Sequence, residues 1–143
     1  MKRLLAYWPW FCIAGIILMP KASGASSAID SLENKLDQTS KSTERVALLS
    51  QLCDHYYNVY KLEKALDYGQ QALELATKLQ DQETQAKIHK SIGNIYYLKD
   101  DYPNALEQYL KALNLAKELD DHQRIASLYN NIGIIYFKRG SYD

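Results

Sequence analysis

The side chains best equipped for chemistry are three histidines, two pairs of adjacent carboxylates and one cysteine that lies beyond Gly24. A helical zinc site needs two ligands four residues apart on one face. His55, His89 and His122 contain no such pair and fall at unrelated points of the chain. His89 stands on an apolar face, where a hydrogen-bonded core imidazole is the expectation. Asp100-Asp101 and Asp120-Asp121 have the groups that general acid–base catalysis requires. Each pair falls between periodic segments, so helix capping and solvation are their expected roles. The sequence has no Gly-rich phosphate loop, no nucleophile elbow and no closely spaced Cys pair. Cys53 occupies a small-residue position within a helical pattern and should be buried and inert. These residues call for no metal, no cofactor and no catalytic centre. With 17 basic and 17 acidic residues and no basic cluster, nothing favours nucleic acid.

The elements that position these residues come from a repeat. Shifted by one fixed interval, the chain matches itself: Val46 with Ala86 and Ala126, Leu52 with Ile92 and Ile132, Cys53 with Gly93 and Gly133, Tyr56 with Tyr96 and Tyr136. Tyr57, Tyr97 and Phe137 continue the series, and Ala65, Ala72 and Ala76 recur as Ala105, Ala112 and Ala116. A fixed period of this size, about 40 residues, signals a solenoid. Within a unit, Ile88, Ile92, Ile95 and Tyr96 keep the three- and four-residue spacing of one helical face. Lys99-Asp100-Asp101 breaks that pattern, Pro103 fits a first helical turn, and the spacing resumes through Tyr109, Ala112, Leu113 and Ala116. Asp81 and Asp121 are N-cap candidates, and Gly140 stands where a helix would stop. Gly93 and Gly133, with the recurring alanines, remove bulk where two antiparallel helices approach. The expectation is all-α, an α-α superhelix in which antiparallel hairpins stack as a solenoid.

Both ends differ from the middle. Met1-Lys2-Arg3 and the uncharged stretch Leu4 to Met19, followed by Ala22 and Gly24, read as a cleavable signal peptide over residues 1–24. That predicts export, periplasmic or extracellular, with an uncleaved membrane anchor facing outside the cytoplasm as the alternative. Removing Lys2, Arg3 and Lys21 leaves 14 basic against 17 acidic residues, a net charge of −3. Residues 25–41 carry Ile29, Leu32 and Leu36 on one face and form an expected N-terminal capping helix. Repeats follow at 42–81 and 82–121, and 122–143 holds the first helix of a third unit. The apolar face of Leu128, Ile132, Ile135 and Tyr136 is then expected to be half covered, which predicts self-association or a frayed end.

Ile92-Gly93-Asn94-Ile95-Tyr96 and Ile132-Gly133-Ile134-Ile135-Tyr136, followed by Ala105 and Ala112 in the complete unit, resemble the tetratricopeptide repeat. The resemblance covers roughly residues 42–143 and resides in the combination of positions. It departs from the family's commonest unit of about 34 residues, so longer helices are expected. His89 and Tyr129 occupy the usual Trp position, and Lys117 stands near a frequent Pro. The resemblance implies a right-handed superhelix whose first helices line a concave surface that binds a protein or peptide. Lys87, Lys90, Asn94, Tyr97, Asn130, Asn131, Ile134 and Phe137 are the candidate lining. In the family's carboxylate clamps, a Lys and an Asn four residues apart cooperate with an Asn on the next first helix. Lys90, Asn94 and Asn131 match those positions, whereas the clamp's further Lys and Arg have no counterpart up to Asp143. The chain also resembles exported sensor regions that precede a membrane helix and a histidine kinase or DNA-binding output module. A reading frame continuing past codon 143 into a second apolar segment of about 20 residues would favour that alternative.

Overall fold

Three- and four-residue apolar spacing winds this chain into helices, and their lengths account for the period. The computed structural model describes residues 23–140, within which there are six helices and no strand. They are α1 (Ser23–Gln38), α2 (Ser42–Asn58), α3 (Leu62–Lys78), α4 (Gln82–Leu98), α5 (Tyr102–Glu118) and α6 (His122–Gly140). Each of α2 to α5 has 17 residues and is followed by a short turn. Two such helices with their turns fill one unit of about 40 residues, within the range of solenoid repeats. Consecutive helices pack on one another as α2–α3 and α4–α5 hairpins, with α6 against α5 and α1 against α2. The signal-peptide reading of residues 1–24 falls almost wholly outside the described residues. Among those described, no helix is long and apolar enough to cross a membrane.

The turns are built alike. Each helix from α2 to α5 ends in a residue with left-handed backbone: Tyr60, Gln80, Asp100 and Asp120, with φ of 57°, 54°, 56° and 51°. At each, a pair of reversed hydrogen bonds closes the helix, as where Asp101 N donates to Tyr96 O at 2.9 Å and Asp100 N to Tyr97 O at 3.1 Å. This is the geometry usually given to glycine. The next helix is then capped by an aspartate in three cases. Asp81 Oδ1 accepts from Thr84 N at 3.0 Å, Asp101 Oδ1 from Asn104 N at 3.3 Å, and Asp121 Oδ1 from Arg124 N at 2.9 Å. Lys41 and Lys61 hold the equivalent places before α2 and α3 and supply no side-chain cap. Gln80 is exposed and gains nothing visible from its left-handed backbone. Gln80→Gly should therefore raise stability by about 0.5–1 kcal/mol, read as a shift of the urea midpoint. An unchanged or lower midpoint would contradict the turn geometry.

The alanines do what their size allows. Ala65, Ala72, Ala76, Ala105, Ala112 and Ala116 are fully buried, alongside Leu52, Ile95, Leu128 and Ile135. At the start of the stack, Ile29, Leu32 and Leu36 of α1 are buried on the first hairpin. A polar clasp fastens this helix. Glu33 Oε1 accepts from Tyr56 OH at 2.7 Å and from Tyr68 OH at 2.9 Å, and the two rings stack with centroids 5.4 Å apart. The two hydroxyl donors hold the Glu33 carboxyl below its ordinary range, aided by Lys64 and Lys61. A depressed carboxyl stabilises the fold above its unfolded-state pKa, and that contribution disappears as pH falls through the lowered folded value. Acid should therefore loosen α1 in the wild type. Glu33→Gln should remove about 1 kcal/mol at neutral pH and flatten this acid dependence, measured by urea unfolding at pH 7 and pH 3.

The third unit corrects one expectation. Leu128 and Ile135 have no exposure and Ile132 only 8%, so three of the four residues expected to lie half bare are covered. Their face turns back onto α5, as Ile88, Ile92 and Ile95 of α4 turn back towards the first hairpin. Tyr136 is 57% exposed because it lies on the other face, the one that meets a unit's own second helix.

Candidate functional site

Successive first helices meet through polar rungs that recur with the repeat. Ser91 Oγ of α4 donates to Asp54 Oδ1 of α2 at 3.1 Å. One unit later, Asn131 Nδ2 of α6 approaches Asn94 Oδ1 of α4 at 3.4 Å. Between these helices, Lys90 Nζ donates to Ser127 Oγ at 2.8 Å. Beside the rungs lies an open groove of about 360 Å³, lined by Tyr57, Lys90, Asn94, Tyr97, Tyr109, Ser127, Asn131 and Ile134.

Tyr109 forms the floor. Its ring lies against Gly93, where a Cβ would come within 2.6 Å of two ring carbons, and its hydroxyl donates to Asn94 Oδ1 at 2.7 Å. Burial, with Tyr57 and Tyr97 close by, pushes the Tyr109 hydroxyl far above its ordinary pKa, so it remains a donor. Asn94 Oδ1 thus accepts from Tyr109 and Asn131 together. Its amide nitrogen and the remaining ammonium hydrogens of Lys90 are left as donors for an occupant. Tyr57, Tyr97 and Ile134 supply flat or apolar walls, a combination suited to an extended peptide or another irregular polar–apolar surface.

Five of the eight residues singled out from sequence line this groove: Lys90, Asn94, Tyr97, Asn131 and Ile134. The other three lie elsewhere. Lys87 pairs with Glu83 one turn earlier at 2.7 Å and faces a separate cleft with Thr43, Ser50 and Thr84. Asn130 is exposed beside Asn131 but rotated by about 100° around the helix, away from the groove. Phe137 is 75% exposed, one turn beyond Ile134, where the groove ends. Three lining residues, Tyr57, Ser127 and Tyr109, are absent from that set, Tyr57 being the counterpart of Tyr97 on the preceding first helix. Ser127 shares its repeat position with Lys87 and is revealed only by its contact with Lys90. Tyr109 reads as an ordinary core position of a second helix. Its signal is the mismatch with Gly69, its counterpart in the preceding unit.

The remaining chemistry-bearing groups are structural. His89 Nδ1 lies 2.8 Å from Gln108 Oε1, and burial lowers its pKa, so the ring is a neutral packing group at pH 7. Cys53 is buried beside Gly69, and burial pushes its thiol up to about 12. A thiol so protonated is a poor nucleophile. No cluster of three or more His, Cys, Asp or Glu occurs among the described residues.

Stacked helical hairpins of constant length, with a groove along their first helices, define a helical-repeat scaffold. The family model described as "Tetratricopeptide repeat" matches residues 44–118 and 84–143, and the chain belongs to that family. No curated protein matches the sequence. Among solved structures, BtubC (BKLC) from P. vanneervenii is similar with a TM-score of 0.73 and 22% identity, over 82% of this chain and 50% of that one. The apo form of RapI is similar with a TM-score of 0.73 and 24% identity, over 83% of this chain and 34% of that one. The chain thus spans half and about a third of the lengths of these two structures, and the likeness is one of fold.

Proposed function

We propose that this chain is an exported, non-catalytic scaffold that binds a protein or peptide in the groove over Tyr109. The observation that carries the reading is the convergence of Lys90, Asn94, Tyr97 and Asn131, from two successive first helices, on one groove with unsatisfied donors and aromatic walls. Binding, not turnover, suits a site that offers donors and flat surfaces without a nucleophile–base pair. Export rests on the leader-like stretch from Met1 to Gly24 alone, and membrane attachment would follow if that leader is retained.

A displayed library of random peptides, selected on the purified chain, tests the groove. Lys90→Ala and Tyr97→Ala should each weaken a selected peptide about tenfold, close to 1.4 kcal/mol, while the melting temperature changes little. Peptides that bind both variants as tightly as the wild type would move the site off this groove. N-terminal sequencing of the secreted chain checks export: a mature start near residue 25 supports it, and retention in the cytoplasm opposes it.

A further inference from the structure

The groove over Tyr109 does not end at the hydrogen bond between Lys90 and Ser127. Beyond that bond lies a second hollow of about 220 Å³, lined by Lys90, Asp121, Gln123, Arg124 and Ser127. Lys90 and Ser127 belong to both, so one occupant can reach from the groove into the hollow. The chemistry changes across the boundary. The walls of the hollow carry two cations and one carboxylate, and no aromatic ring.

Arg124 is the feature that packing leaves unexplained. Its backbone N–H donates to Asp121 Oδ1, and its Nη2 lies 3.1 Å from Asp121 Oδ2. The side chain is only 13% exposed, and its Nη1 is buried with no hydrogen-bond partner among the described residues. A buried charged donor without an acceptor is costly and calls for a reason. Helix capping does not supply one. In the corresponding cleft of the preceding unit, Ser50 stands for Lys90 and Thr84 for Arg124, and Thr84 Oγ1 donates to Asp81 Oδ2 at 2.6 Å. A neutral hydroxyl completes that cap. A guanidinium in the same place brings more donors than the aspartate uses.

We infer that this hollow receives an acidic side chain of the peptide held in the groove, its carboxylate accepting from Arg124, Lys90 and Ser127. The inference rests on the groove reading and adds the charge that the partner carries. Lys90 has ammonium hydrogens beyond the one given to Ser127, and the Ser127 hydroxyl keeps its own hydrogen to donate. The carboxylate completes the bonding of a guanidinium that Asp121 serves on one side. Charge selects the anion. Lys90 and Arg124 against Asp121 leave one positive charge, which matches a carboxylate and not a doubly charged phosphate. Helix geometry sets the spacing: Arg124, Ser127 and Asn131 share one face of α6, and the rise from Arg124 to Asn131 is about 10 Å. An extended peptide covers that distance in about three residues, which separates its acidic residue from the one bonded at Asn94 and Asn131.

Peptides selected from the displayed library on the purified chain test this. They should share an Asp or Glu at one position, about three residues from an apolar one. Changing that Glu to Gln in a selected peptide should weaken binding to the wild type about tenfold and change little on Arg124→Gln. Arg124→Lys, which keeps the charge and loses the planar fork, should fall between them. Thermal melts report whether each variant is folded, and Lys90→Gln reads the same coupling if Arg124→Gln is not. Amidating the peptide's C-terminus should leave affinity unchanged. Selected peptides without an acidic preference, or an equal Glu-to-Gln loss on the wild type and the folded variants, would overturn the inference. The groove reading would survive either result, because Tyr97→Ala tests it separately. Loss of binding on amidation, or tighter Arg124-dependent binding with phosphoserine in place of Glu, would assign the hollow to a different anion and overturn it too. Failure to select any peptide would remove the groove reading and this inference together.

Discussion

Replacing Gly93 with leucine should lower the unfolding free energy by about 1–3 kcal/mol. Even the first added atom meets the Tyr109 ring at 2.6 Å, and that ring is held by its bond to Asn94 and by the walls of the second hairpin. Thermal or urea unfolding with two-state analysis reads the loss directly. Gly133 provides the internal control, since it has the same repeat position and open space around it. Gly133→Ala should be neutral or stabilise by up to about 1 kcal/mol through helix propensity alone. Two glycines aligned in sequence thus carry opposite predictions. Equal responses at the two positions would mean that α5 does not seat Tyr109 over Gly93.

Truncating the other side of that contact should have the largest effect. Tyr109→Ala empties the floor of the groove and should destabilise by about 3–5 kcal/mol, the range of large aromatic deletions in packed cores. Tyr109→Phe separates the two parts of this loss. It keeps the ring over Gly93 and removes only the hydroxyl that donates to Asn94, so about 1 kcal/mol should disappear. The same variant leaves Asn94 Oδ1 with Asn131 as its remaining donor and loosens the groove. Chemical denaturation of the pair measures the stability terms, and binding of a selected peptide measures the groove. If Tyr109→Phe costs as much as Tyr109→Ala, the ring is not what packs the floor of the groove.

These two predictions mark where sequence and structure divide. The family and the helical hairpins are legible because one constant period repeats the same apolar face, the same alanines and the same small residue at Cys53, Gly93 and Gly133. The capping roles of Asp81 and Asp121 are legible too, since an aspartate before an apolar run has few other uses. The left-handed turns at Tyr60 and Gln80 are not, because neither residue type advertises that backbone. Their conformation is imposed by the reversed hydrogen bonds that end each helix.

The groove is half legible, for a definable reason. Helical spacing identifies residues that share a face, which gathers Lys90, Asn94, Tyr97, Asn131 and Ile134. It does not reveal which neighbours consume that face, so it groups Lys87, Asn130 and Phe137 with them although they lie outside. Nor does it reach across a hairpin. Tyr109 joins the groove only because α5 brings a bulky ring over a glycine of α4, and Asn94 is oriented by that hydroxyl. The side of α6 that is bare was likewise settled by packing. Leu128, Ile132 and Ile135 look outward in a list of apolar residues but lie covered, while Tyr129 and Tyr136 lie open. By itself the sequence determined that hairpins repeat, how long they are and which residue types cap and pack them, since these follow from local periodicity. Only the tertiary structure decided which polar groups line the groove and which face of α6 the described residues bury, because both depend on atoms brought together from separate helices.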